Sequence, residues 1–182
     1  MKQIESEINL IENTFEKIKS DKIQFTEHFY KQLFKKSPEL KPLFVNTDLE
    51  AQSKKLYAAL VMLVENLRHP EELERVLLPL GKRHKDYGVI THHYTLVSEV
   101  LIDSLKYFLN EEWTEKVNES WKKTLDEVTK IMLIGSGDLV PQEKTLTNNI
   151  HQKESQNKKI QLKENQLYEL VETSFKKTKD VK

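Results

Sequence analysis

Cysteine is absent from this chain of 182 residues, which excludes disulfides, thiolate metal sites and cysteine nucleophiles. Glycine occurs four times and proline five, too few for the many tight turns of a sandwich or barrel. Neither sign of charge dominates: 29 Lys and Arg meet 29 Asp and Glu, so no net field draws the chain to nucleic acid or a membrane surface. No apolar run approaches the roughly 20 residues that cross a bilayer. The N-terminal stretch MKQIESEINLIENTFEKIKS is amphipathic and acidic, not a basic stub before an apolar core, so no signal peptide is expected. With cysteine missing, a cytoplasmic location fits. A Gly-rich phosphate loop, an HExxH helix and a Ser-centred elbow are also missing, which leaves nucleotide and hydrolase chemistry without support.

What the chain does have is charge, at 32% of residues, spread through Lys/Glu/Leu-rich segments that read as all-α. Ile4, Ile8, Ile11, Phe15 and Ile18 repeat at helical spacing. A second helix follows a break near Ser20-Asp21 and turns Phe25, Phe29, Leu33 and Phe34 inward. Ser37-Pro38 opens a short third helix, and Thr47 or Asp48 can cap a fourth that carries Leu56, Leu60, Leu63 and Leu67. Pro70 begins a helix reaching His84, and Gly88 breaks it. Thr91 to Leu109 forms the next helix, and one from about Glu112 to Ile134 is stopped by GSGD at 135–138. The sum is about seven helices in residues 1–137. Residues 138–182 are polar, then amphipathic at LYELVETSF, and read as a helical C-terminal tail, either solvated or a short dimer coil.

The stretch GKRHKDYGVITHHY holds three of the six histidines, His84, His92 and His93. A histidine ending a helix, followed by a glycine corner and another long helix, meets what a haem ligand arm needs: a neutral imidazole held by packing where the chain turns. It equally describes a satisfied structural histidine. His92 and His93 are sequential and point to different sides, so a surface reading suits them better than a metal pair. His28 is expected to face outward.

Upstream, FTEHFYKQLFKKSPELKPLF, then AQSKKLYAALVMLVENL, LGKRHKDYGVITHHYTLVSEVLIDSL and ESWKKTLDEVTKIM resemble bacterial globins of the flavohaemoglobin and single-domain haemoglobin class, over roughly residues 3 to 134. Several motifs fall in register: HFY followed by PELK and a Phe, a Gln 32 residues before the His (84 − 52), and a Tyr ten after it (94 − 84). The resemblance implies a globin fold, a 3-on-3 helical sandwich, around haem b (iron protoporphyrin IX). It implies that His84 is the proximal iron ligand and that Phe44 wedges against the porphyrin. Tyr30 and Gln52 become distal hydrogen-bond donors, Leu56 the apolar residue over the iron, and Tyr94 a tyrosine on the proximal side. The family's proximal carboxylate falls on Asp138, which follows GSG rather than lying inside a helix. Arg83, Lys54 and Lys85 could meet haem propionates.

A gas that gains partial negative charge on binding is held by buried donors, and Tyr30 and Gln52 supply an O–H and an N–H₂. Gln52 also favours a pentacoordinate, open iron, because an amide is a poor iron ligand. The Leu80 carbonyl, one turn before His84, is the expected partner of its second ring nitrogen. Tyr94 either adds a bond that enriches the imidazole or is a rim tyrosine.

Three functions follow. The first is reversible binding of O2, with NO and CO as further ligands, for oxygen transport or for nitric oxide dioxygenase chemistry. The 45 residues at 138–182 are too few for the flavin domain of the resembled family, so such turnover implies a separate reductase. The second is a haem-based gas sensor signalling through the tail, as a monomer or a tail-mediated dimer. The third is a globin fold without haem, serving as an interaction module.

Overall fold

Six α-helices carry the described residues, 2–140, of the computed structural model: α1 (Lys2–Ile18), α2 (Lys22–Lys36), α3 (Leu49–Glu65), α4 (Pro70–Asp86), α5 (Thr91–Leu109) and α6 (Glu115–Ser136). The tail lies outside these residues, apart from its first three. No strand occurs among them. The seventh expected helix, Pro38–Phe44, is a 3-10 segment. Pro42 lies inside it and has no N–H to continue an α-helical ladder, so the tighter, short form results.

Helix ends follow local chemistry. Asp48 rather than Thr47 caps α3, accepting from the Glu50 and Ala51 amides at 2.9 and 3.3 Å. Thr114 starts α6 by accepting from Val117 N–H, and a 3-10 turn at Asn110–Glu112 precedes it, so α6 begins later than the apolar pattern suggests. GSGD does not stop that helix at Ile134. Gly135 and Ser136 remain helical, and Gly137, at φ 77°, makes the left-handed cap.

The apolar faces meet in one core that includes Phe15, Phe25, Phe29, Leu33, Leu105 and Trp121, all essentially buried. Phe15 lies between Tyr57 and Trp121, with ring centroids at 5.8 and 6.3 Å. The Trp121 indole N–H donates to Thr14 Oγ1 at 3.0 Å, joining α6 to α1 inside the core. A Thr14→Val exchange keeps the shape but strands that buried donor. It is expected to cost about 1–3 kcal/mol in urea unfolding.

The most extensive helix pairing is α4 on α6, and two glycines permit it. A Cβ at Gly81 would stand 2.0 Å from the Met132 carbonyl oxygen, and one at Gly135 would stand 2.1 Å from the Leu78 carbonyl oxygen. Each glycine therefore lies directly against the backbone of the opposite helix. At these two points the helix bearing His84 meets α6 main chain to main chain.

Candidate functional site

His84 sits in the last turn of α4, half-buried. Its Nδ1 is 2.9 Å from the Leu80 carbonyl oxygen, as expected from the sequence. A carbonyl can only accept, so Nδ1 carries the proton and Nε2 keeps a bare lone pair. Burial holds the imidazole below its ordinary 6.5, with the Arg83 charge acting in the same direction and the Leu80 bond opposing. The neutral ring that results is the form that ligates iron.

The sign of that shift gives a pH prediction. Between the depressed folded value and 6.5, the unfolded chain binds a proton that the folded chain refuses. Stability is therefore full above the ordinary histidine range and declines as pH falls through it. Urea midpoints measured from neutral toward acid should fall, and a His84→Gln variant should show a shallower decline.

Tyr94, from α5, packs its ring against His84 at a centroid distance of 6.1 Å and 30° between planes. The expected alternatives of an imidazole bond or a rim position are both replaced. Tyr94 is 8% exposed, and its hydroxyl is the one buried side-chain polar atom among the described residues without a hydrogen-bond partner. Burial raises its pKa, with the Asp138 charge adding to the effect. Asp138 itself does not reach His84: its Oδ1 accepts from Lys85 Nζ at 2.7 Å and its Oδ2 from Ser136 Oγ at 2.8 Å.

A second group gathers where α2, the 3-10 segment and α3 meet. Tyr30 is 7% exposed, with Phe44 edge-on at 5.9 Å and Phe34 at 6.0 Å. Burial pushes the Tyr30 pKa far above its ordinary 10.0, and the nearby Gln52 side chain offsets part of this. Leu56 lies one turn beyond Gln52 on α3, part-buried against the core. The corner after α4 meets the 3-10 segment: a Cβ at Gly88, four residues after His84, would touch Leu43 Cδ2 at 3.7 Å.

Arg83 is half-buried. Lys54 pairs with Glu50 at 3.4 Å, and Lys85 pairs with Asp138. His28 does not face freely outward; it is half-buried and stacked on Tyr107 at 4.4 Å. His93 Nδ1 accepts from Ile90 N–H at 3.3 Å, and no group of three metal-binding side chains occurs among the described residues. Sequence reasoning missed the roles of Gly81 and Lys85. A glycine inside a strong helical pattern, one turn before the candidate ligand, was the signal available for the first.

These residues fit a haem. A desolvated neutral imidazole with a free lone pair, a buried phenol with an amide side chain near it, and an aromatic ring against that phenol form a donor set suited to a flat apolar ring with a central iron. The Tyr94 hydroxyl, with no acceptor of its own, adds a polar group on the histidine side.

Comparison with known proteins gives a consistent picture. The model of the family described as Globin matches residues 27–132. An uncharacterized globin-like protein of Aquifex aeolicus is 30% identical over 71% of this chain and 91% of its own length. A flavohemoprotein of Rhizobium meliloti is 30% identical over 58% of this chain but only 27% of its own length. The chain thus spans about a quarter to a third of the flavohemoproteins it matches. A bacterial globin of Campylobacter jejuni superposes with a TM-score of 0.64, covering 74% of this chain and 96% of that one at 24% identity. None of the described helices is long and apolar enough to cross a membrane.

Proposed function

From the premise that this chain belongs to the globin family, a family of haem proteins that bind diatomic gases, we propose that it holds haem b on His84 and reversibly binds O2, with NO and CO as further ligands. The observation carrying this reading is the 2.9 Å bond from His84 Nδ1 to the Leu80 carbonyl, which orients a bare Nε2 in a desolvated setting. When bound, haem supplies a ferrous iron with one open position for a gas.

The chain's own residues do the rest. His84 would hold the iron through its Nε2 lone pair. Tyr30 and Gln52 present an O–H and an N–H to a ligand gaining negative charge. Burial of Tyr30 against Phe34 and Phe44 holds the phenol in place before the gas arrives, so little ordering cost remains for it. Phe44 excludes water from the phenol. Arg83 is the basic side chain beside His84 suited to a haem carboxylate. Tyr94 packs the imidazole from α5 and limits its rotation.

A hydrogen bond to a charged acceptor contributes about 1.5–3 kcal/mol. A Tyr30→Phe substitution should therefore raise the O2 dissociation rate by roughly ten- to a hundredfold, measured by stopped-flow displacement with CO, while CO release barely changes. Equal effects on both gases would overturn the donor role. Reconstitution with hemin should give a Soret band at one haem per chain, and a colourless protein would overturn the whole reading.

Nitric oxide chemistry belongs to the same proposal. Dioxygen, nitric oxide and one electron together give nitrate, so repeated turnover requires a reductase to return that electron. Nitrate formed per haem, with and without added reductase, decides between turnover and a single stoichiometric event.

A further inference from the structure

His84 lies between two attachments of α4 to α6. One turn before it, Gly81 lies so close to α6 that a Cβ would stand 2.0 Å from the Met132 carbonyl oxygen. One residue after it, Lys85 Nζ donates to the Ser136 carbonyl at 2.8 Å and to Asp138 Oδ1 at 2.7 Å. Ser136 Oγ donates to Asp138 Oδ2 at 2.8 Å, and Gly137 at φ 77° makes the turn between them. The ammonium thus fills a carbonyl that the end of α6 leaves without a helical partner and closes a ring through the Asp138 carboxylate.

Such a ring adds little to overall stability. Its side chains are 50% and 30% exposed, and pairs that wet contribute weakly. Geometry is a different matter. His84 sits in the last turn of α4, whose Arg83, His84 and Lys85 carbonyls accept only from the local Tyr87, Gly88 and Val89 amides, so those bonds close the turn without fixing where it stands on α6. Gly81 anchors the turn below and Lys85 anchors it above, both to the same helix. The carboxylate committed to Lys85 is also the one whose charge reaches the unpartnered Tyr94 hydroxyl.

We infer that Lys85 and Asp138 form a positioning pair for His84, fixing the imidazole's orientation toward iron by tying the last turn of α4 to the cap of α6. The inference rests on the reading of His84 as iron ligand. Neither residue touches haem chemistry directly; each acts through the ligand's helix.

The test uses the holoprotein with Lys85→Met, Asp138→Asn, the two combined, and Lys85→Arg. The readouts are the ferrous iron–histidine stretching band by resonance Raman, hemin transfer to excess apomyoglobin, and the melting temperature. Either single variant should displace the band and speed hemin loss about tenfold, as expected when a group orienting a metal ligand is removed, with little change in melting. The combined variant should be no worse than either alone. Lys85→Arg, whose guanidinium can again donate to the Ser136 carbonyl and to Asp138, should keep the band near its original position, which separates geometry from the loss of one charge. An unmoved band in single variants that still bind haem overturns the inference. So does additivity in the combined variant, or a fall in melting temperature with the band unchanged. Failure of the parent protein to bind haem overturns the iron-ligand reading instead.

Discussion

With His84 replaced by glycine, the protein should fold and yet fail to hold haem: hemin affinity drops by about a hundredfold or more, the Soret band broadens toward that of free hemin, and millimolar imidazole restores a ligated spectrum. The magnitude follows from what is removed. Groups that merely orient a metal ligand change affinity by about 10–100-fold, so loss of the ligand itself must exceed that range. The fold should survive because His84 is only half-buried and makes one side-chain bond, to Leu80. Glycine in a helix costs about 1 kcal/mol, against a typical domain stability of about 5–15 kcal/mol. Circular dichroism of the apoprotein alongside hemin titration separates the two effects. A variant that keeps the parent spectrum would remove His84 from the site.

A Gly81→Ala substitution should do the reverse, damaging the fold first and the haem site as a consequence. On helix propensity alone alanine should help by about 1 kcal/mol. The added methyl, however, would stand 2.0 Å from a backbone oxygen of Met132, and no flexible side chain lies there to move aside. The helices must separate, giving up packing along the largest helix pairing in the molecule. Overpacking of this kind typically costs about 1–3 kcal/mol, occasionally more, and backbone against backbone belongs at the upper end. A net loss of about 2 kcal/mol in urea unfolding is expected, with a similar loss for Gly135→Ala at the Leu78 carbonyl oxygen. Unchanged stability would mean that α4 and α6 adjust more freely than this geometry allows.

Much of this architecture was legible in the sequence, and the reasons are particular. Phe25, Phe29 and Leu33 recur at helical spacing and are buried together, because a 3.6-residue period puts them on one face. The Leu80 partner of His84 was predictable because a carbonyl one turn back is always within reach of a helical histidine's Nδ1. Three features were not legible. The 3-10 form of Pro38–Phe44 depends on one missing donor at Pro42, a local conflict that apolar periodicity does not register. GSGD looked like a single stop, yet its two glycines differ: Gly135 permits a helix crossing, and Gly137 supplies the left-handed cap. Only the position of α6 distinguishes them. Asp138 aligned with a proximal carboxylate by position, but its partner is the lysine next to His84. No spacing rule could select Lys85 over Tyr94 without the fold.

Four of the buried hydroxyls turn inward on their own helices: Thr14 donates to Leu10 O, Thr26 to Lys22 O, Ser104 to Val100 O and Ser120 to Lys116 O. Each satisfies itself locally, so where it faces a neighbouring helix it presents bulk rather than a required partner. Thr14 is the exception, since it also receives the Trp121 indole. At the other three, apolar residues of matching volume should be accepted with small loss. Anyone refitting this scaffold for a different porphyrin could therefore redraw its interior by volume at those sites.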